Sequence, residues 1–247
     1  MRPTTNCQKT QKTYVQYKMR QAALGRAGYD KGRQMESLYP FLKESNVFSK
    51  VTKQFQLGTS NKNDFLVTEK ATGQQVGMQL KYATGQTHAY GSTINGMLNT
   101  LAENIPAFNK KTNRLAIAWD KGNLKEFSTL AQKNKKTMLN TLLRNNQGTK
   151  FLSYIKKTNG IEYIIDYDAL INYLANDPTT FTLTKSGKRM RGNGIISLGQ
   201  KGSGSDEMRK SPQLRIGFSL RKIAELEAKG IVLDKIDRSA DIKQYIS

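Results

Sequence analysis

The sequence predicts an α/β fold: a mixed central sheet flanked by helices, followed by a β-rich and strongly basic C-terminal section. Three observations predict it. Apolar residues change between the two-residue period of strands and the 3.6-residue period of helices, in the order helix, strand, strand, helix, strand. From Thr180 to Leu220 the pattern turns to short apolar runs separated by glycines. Hydrophobic residues make up 37% of the 247 residues, enough for one core. The chain reads as a single domain with a basic arm at 1–30, a core at 31–120, a helical section at 121–178 and strands and turns at 179–229.

In chain order, residues 18–27 and 31–45 read as helices, the second interrupted by Pro40, with Met35, Leu38, Tyr39 and Leu42 as its inward stripe. Asp64 to Thr68 and Val76 to Tyr82 read as a hairpin around the turn Lys70-Ala71-Thr72-Gly73. Ser92 or Thr93 can cap a helix running to about Ile105. The apolar run Leu115 to Trp119 reads as a third strand within Arg114 to Asp120. Residues 123–157 read as mostly helical with a break at Gly148, Gly160 to Ile165 as a strand, and Asp166 to Asn176 as a helix stopped by Pro178. Ser219 to Lys229 is read as the last helix.

Charge narrows the function. Forty Lys and Arg stand against 19 Asp and Glu, a formal net charge of +21. A core does not require that surplus, and its self-repulsion opposes compaction, so a polyanionic partner is expected, above all a nucleic acid. Residues 1–29 hold six basic residues and no acid, with Tyr14 and Tyr17 between them, as suits an arm lying along phosphates. No apolar run approaches the roughly 20 residues that span a bilayer, and the N-terminus lacks the apolar core of a secretory signal. Cys7 is the single cysteine, which excludes an internal disulfide and a zinc site of several thiolates. A reducing cytoplasm, of prokaryotic or viral type, is the expected location.

The second hairpin strand carries the chemistry. Alternation places Val76, Met78, Leu80 and Tyr82 on one face, and Gly77, Gln79 and Lys81 on the other. Asp64 begins the paired strand, so an acid, an amide oxygen and an ammonium can converge at the open end of the hairpin. Such a set suits phosphodiester hydrolysis. Oxygen ligands hold Mg²⁺, which polarises a phosphoryl oxygen and acidifies water, while a lysine orients the attacking water or offsets developing charge.

Asn63-Asp64, fourteen intervening residues and Gln79-Leu80-Lys81 together resemble the PD-(D/E)xK nuclease motif, in the variant where an amide replaces the second acid. The resemblance implies a restriction-endonuclease-like core with Asp64 and Gln79 as metal ligands and Lys81 orienting water. Asn63 stands where Pro is common, and Gln79 costs the metal one formal negative charge. A further acid should then help, and the resemblance points to Glu36, on the early helix.

The C-terminal section adds to this. Gly-Ile-Ile-Ser-Leu-Gly-Gln-Lys-Gly-Ser-Gly-Ser at 194–205, followed by Gln-Leu-Arg-Ile-Gly-Phe at 213–218, is similar to the terminal strand–turn–strand of type II restriction endonucleases, most nearly MspI-like enzymes with Q-x-K or N-x-K sites. Gln200 stands where Arg is common and Ser203 where a second Gly is common. The implied partner is double-stranded DNA, contacted by Ser203, Gln213 and Arg215 among others. From residue chemistry, Arg189, Arg191, Gln200 and Lys201 could read base edges, and Gln86-Thr87-His88 could form a DNA-facing loop. A homodimer and a monomer both fit, and no membrane is implied.

Several alternatives fall away. His88 is the only histidine, which argues against nucleases built on a histidine base plus a histidine ligand. Gly160 to Ile164 superficially resembles a different nuclease motif, with the wrong spacing. No Walker loop or dinucleotide fingerprint is present. A non-catalytic DNA- or RNA-binding protein, with Gln79 and Lys81 as mere contacts, and a repair or structure-specific nuclease remain open.

Overall fold

The alternating segment 64–83 forms the hairpin expected of it, and that hairpin lies inside a larger sheet. The computed structural model describes residues 30–42, 45–53, 63–144, 148–201 and 213–245. The helix expected at 18–27, most of the N-terminal arm and Ser203 lie outside the described residues.

Two sheets organise the chain. The first has six strands in the order β1 (Phe48–Lys53), β2 (Phe65–Glu69), β3 (Gln75–Ala83), β5 (Thr149–Lys156), β6 (Ile161–Asp166) and β11 (Val232–Asp237). β3 and β5 run parallel, and the other neighbours pair antiparallel, so the sheet is mixed. The second sheet has five strands in the order β4 (Gln86–Thr93), β10 (Gln213–Ser219), β9 (Ile196–Lys201), β8 (Arg189–Gly192) and β7 (Thr182–Leu183). β4 follows β3 after two residues, Thr84 and Gly85, so one tight turn carries the chain from the hairpin into the second sheet.

The first sheet is covered on both faces. Helix α1 (30–38) brings Met35, and the 3₁₀ turn Tyr39–Phe41 brings Tyr39, onto Phe65, Val67, Met78, Leu80, Phe151 and Ile164. The larger core lies on the other face, where Leu152, Tyr154 and Ile165 meet Leu198, Leu214, Ile216 and Phe218 of the second sheet. It also takes in the buried stripes of α2 (Ile94–Asn104) and α6 (Tyr167–Asn176).

The helix caps follow from residue chemistry. The Thr93 hydroxyl accepts from the Gly96 N–H to start α2, and the Asp166 carboxylate accepts from the N–H groups of Asp168 and Ala169 to start α6. In α2 the buried residues Ile94, Met97, Leu98 and Leu101 follow the helical period.

Four expectations need correction. Residues 112–120 form helix α3 (Thr112–Asp120) and not a strand. Leu115 and Trp119 are buried while Ile117 is 55% exposed, whereas a strand would put all three on one face. The helical section ends early: after α4 (Lys125–Lys133), α5 (Lys135–Leu139) and a π-helical turn at Asn140–Arg144, residues 149–156 form β5. β5 is buried on both faces, and such a strand shows no alternation. Gln86 to His88 belong to β4 and not to a loop. Finally, α7 (Ile223–Ala228) is not the last element, because edge strand β11 and α8 (Ser239–Tyr245) follow it.

Candidate active site and nucleic-acid face

The site begins with strand register. Phe65 pairs with Met78 and Leu66 with Gly77, so the next step along the hairpin sets Asp64 beside Gln79 on the same face. The Asp64 N–H donates to the Met78 carbonyl at 3.0 Å, and the Asp64 Oδ2 accepts from the Leu80 N–H at 2.7 Å. The carboxylate is thereby docked on β3 between Gln79 and Lys81.

Gln79 is not on an open face. The residue is 3% exposed, and its Oε1 accepts from the Tyr167 hydroxyl at 2.8 Å. Tyr167 is the first residue of α6 and is fully buried. Burial and the nearby Asp64 charge push its hydroxyl well above the usual tyrosine range, and the Arg144 charge opposes them, so the phenol keeps its proton. Lys81 is half-buried and shares an apolar crevice with Thr87, Ala89, Leu143, Leu152, Tyr167 and Phe218. Its methylene stem suits that lining.

Asn63 and Gly77 brace the hairpin. Asn63 is buried, and its Oδ1 accepts from the Thr149 hydroxyl on β5. The amide occupies the space a side chain at Gly77 would fill: a Cβ there would lie 2.3 to 2.5 Å from its atoms. Gly77→Ala is therefore expected to break the Asn63–Thr149 contact and cost about 1–3 kcal/mol, read as a lower urea midpoint. The double change Asn63→Gly with Gly77→Ala should lose less than the sum of the two single changes.

Beside the hairpin lies a cavity of about 450 Å³, lined by Asn63, Gly77, Arg144, Thr149, Lys150 and Asp168 among others. Arg144, at the end of the π-helical turn, donates to the Asp168 carboxylate, and its side chain is 11% exposed. Tyr167, Arg144 and Asp168 carry no recognisable signal in the sequence. Tyr167 and Asp168 reach the hairpin because α6 packs over β5, and Arg144 because the π-helical turn ends against Asp168.

Glu36 is not brought to this cluster. It lies on α1, whose inward residue Met35 packs against the Met78 and Leu80 face of β3, so α1 covers the side of the sheet opposite Gln79. The helical acid on the Gln79 side is Asp168, which lines the cavity with Asn63. Among the described residues no three of His, Cys, Asp and Glu cluster as a metal cage. The oxygens of Asp64 and Gln79 suit a hard cation that keeps much of its water, as Mg²⁺ does.

The candidate nucleic-acid residues divide by register. Arg189 pairs with Gly199, Gly199 with Arg215, and Arg215 with Gly91, forming one row across the second sheet. Gln213 and Arg191 alternate with the buried Leu214 and Met190, so Arg189, Arg191, Gln213 and Arg215 share the outward face. The glycines keep this face flat. A Cβ on Gly199 would lie 2.9 Å from Arg189 Cγ, and one on Gly91 3.2 Å from Arg215 Cγ, so each arginine stem lies across a glycine.

Gln86 joins this face by donating from Nε2 to the Ser197 hydroxyl at 3.2 Å. His88 pairs with Gly217, and Lys201 with Gln213. Thr87 and Gln200 take the other side. Thr87 pairs with Phe218 and lines the Lys81 crevice, and Gln200 pairs with the buried Leu214. The alternation of β4 and β9 turns both away from the arginines.

Among the described residues no helix is long and apolar enough to cross a membrane. The chain matches no protein-family model, and no curated protein is similar to it.

Proposed function

We propose that this chain is a Mg²⁺-dependent endonuclease of the type II restriction kind, hydrolysing phosphodiester bonds at a short specific sequence in double-stranded DNA. In this reading the β2–β3 hairpin and β5 form its PD-(D/E)xK core. The observation that carries it is the hairpin register, which sets Asp64 beside Gln79 with Lys81 two residues further along the same face.

The hairpin supplies the chemistry. Asp64 and Gln79 offer the cation two oxygens, and a bound magnesium ion would supply positive charge at the phosphoryl group and acidify water. Lys81 places an ammonium beside that pair, where it orients the attacking water and offsets charge that develops on the phosphoryl oxygens. Asp64 keeps its alignment through the Leu80 N–H, and Gln79 through Tyr167.

The second sheet supplies the grip. Its outward face carries Arg189, Arg191, Arg215 and Gln213, and its β4 strand begins five residues after Lys81. Side chains of this kind pair with phosphates and with guanine and adenine edges. Duplex substrate is favoured over single strands. The exposed large hydrophobic residues among those described are Phe41, Ile117 and Leu233, and none lies on this face to stack an unpaired base.

The test is a digest. Incubation of mixed plasmid and phage DNA with the protein and Mg²⁺ should give discrete bands. Lys81→Ala should abolish them while leaving binding in Ca²⁺ intact. Intact DNA with strong salt-dependent binding would instead mark a non-catalytic nucleic-acid-binding protein. Cutting only at mismatches or junctions would mark a repair nuclease on the same core.

A further inference from the structure

The cavity of about 450 Å³ beside the hairpin takes no part in the hydrolysis described above, yet charge converges on it. Arg144 reaches it from the π-helical turn and Lys150 from β5. An acid tethers each cation: Arg144 donates through Nη2 to Asp168, and Lys150 through Nζ to Glu69 at 2.6 Å. Neither tether exhausts its cation, since a guanidinium has five N–H groups and an ammonium three. The Arg144 Nε is buried with no acceptor among the described residues. Asp168 is the one acid in the lining, against two cations, and its side chain is 65% exposed while that of Arg144 is 11% exposed. The lining is therefore positive on balance.

We propose that this cavity is a subsite for a DNA backbone phosphate next to the one that is cut, with Arg144 and Lys150 each taking one of its non-bridging oxygens. This rests on the nuclease reading given above. Position supports it. Asn63, which lines the cavity, directly precedes Asp64, and Gly77, over which its amide lies, pairs with Thr149 of β5. Gly77 and Gln79 are two residues apart on one face of β3, about 7 Å along the strand. That is close to the step between neighbouring phosphates of one DNA strand, so a phosphate held beside Gly77 leaves its neighbour at Asp64 and Gln79. The Arg144 charge is felt at the Tyr167 hydroxyl, which bonds Gln79, so the guanidinium stands on the same side of the sheet as the candidate chemistry. A nucleobase is the poorer occupant, because no aromatic ring lines the cavity to stack on it.

The test titrates the full-length protein in EDTA with thymidine 3′,5′-bisphosphate, which carries two phosphates one nucleoside apart, and follows backbone amide signals by NMR. The amides of Gly77, Thr149 and Lys150 should shift. Arg144→Gln and Lys150→Gln should each weaken the binding about tenfold, the effect of losing a hydrogen bond to a charged group. Lys150 is partly exposed, so its variant keeps the test open where Arg144→Gln fails to fold. Inorganic phosphate should shift the same amides more weakly than the bisphosphate does. At the cut position found by the digest, a neutral methylphosphonate in place of the neighbouring phosphate should slow cleavage about tenfold in the wild type. In Arg144→Gln the same replacement should change the rate less than about twofold, because the partner of that charge is already gone.

Shifts confined to other regions would overturn the proposal, as would equal bisphosphate affinity in the wild type and both variants. Inorganic phosphate binding as tightly as the bisphosphate would mark a site for a free anion and overturn the assignment to DNA. Equal slowing by the methylphosphonate in wild type and Arg144→Gln would show that Arg144 does not meet that phosphate. The two readings fail separately. Cutting without the amide shifts would refute the subsite alone, whereas the shifts without cutting of any DNA would refute the nuclease reading and leave a phosphate site.

Discussion

Asp64→Asn is expected to slow DNA cleavage at least about a thousandfold, about 4 kcal/mol of transition-state stabilisation, while leaving the fold intact. Asparagine retains a carbonyl oxygen that can accept from the Leu80 N–H, so the hairpin contact at 2.7 Å survives in kind. What disappears is the full negative charge beside a neutral Gln79, and with it most of the attraction for a divalent cation. Binding should change in the opposite sense. Without a metal, the Asp64 carboxylate repels phosphate, so Asp64→Asn should bind duplex DNA more tightly than the wild type in EDTA. Stimulation of binding by Ca²⁺ should vanish. Gel assays of cleavage and fluorescence anisotropy with and without Ca²⁺ measure the two effects, and undiminished cutting would remove Asp64 from the mechanism.

The largest loss of stability is expected from Glu162→Ala, far from the chemistry. Glu162 is fully buried on β6, on the α1 side of the sheet. One of its oxygens accepts from the Arg238 Nε at 2.7 Å, and the other from the hydroxyls of Ser153 and Tyr39. Burial and then the Glu162 charge push the Tyr39 hydroxyl well above its usual range, so it remains a donor. These four residues join the turn after α1, strands β5 and β6, and the segment between β11 and α8.

Removing the carboxylate would strand an arginine that is 1% exposed, together with two buried hydroxyls. The cost of breaking a buried pair in this way is about 3–5 kcal/mol, equivalent to a fall in Tm of about 6 to 20 °C for a chain of this size. Replacing both partners, as in Glu162→Met with Arg238→Leu, should cost less than either single change, because no uncompensated charge remains. Thermal unfolding of the three variants measures this. A double variant as unstable as the sum of the singles would show that packing, and not charge, dominates.

How much of this was legible in the sequence depended on the distance over which each feature is encoded. The β2–β3 hairpin, a cap at Ser92 or Thr93, the helix beginning near Asp166 and the glycine-separated C-terminal strands follow from spacings of a few residues, and they stand where those spacings put them, with Thr93 as the cap. The run Leu115 to Trp119 misled because a short apolar run suits a buried strand and a helix equally. Only the exposure of Ile117 separates them, and packing decides that exposure. β5 was hidden because both its faces are covered, which erases the two-residue period.

The candidate site divides along the same line. Charge surplus, the shared face of Gln79 and Lys81, and the start of the paired strand at Asp64 are local properties, readable one residue after another. Which layer covers each face is not local. Helix α1 took the Met78 side and carried Glu36 away from Gln79, while α6 took the other side and brought Tyr167, with Asp168 beside it. Likewise β4 and β9 each present alternate residues to opposite sides, and the register with β10 settled that Gln86 would stand with the arginines and Thr87 with Lys81. Such choices turn on the burial of whole apolar faces assembled from distant segments, a free energy that no short stretch of sequence contains.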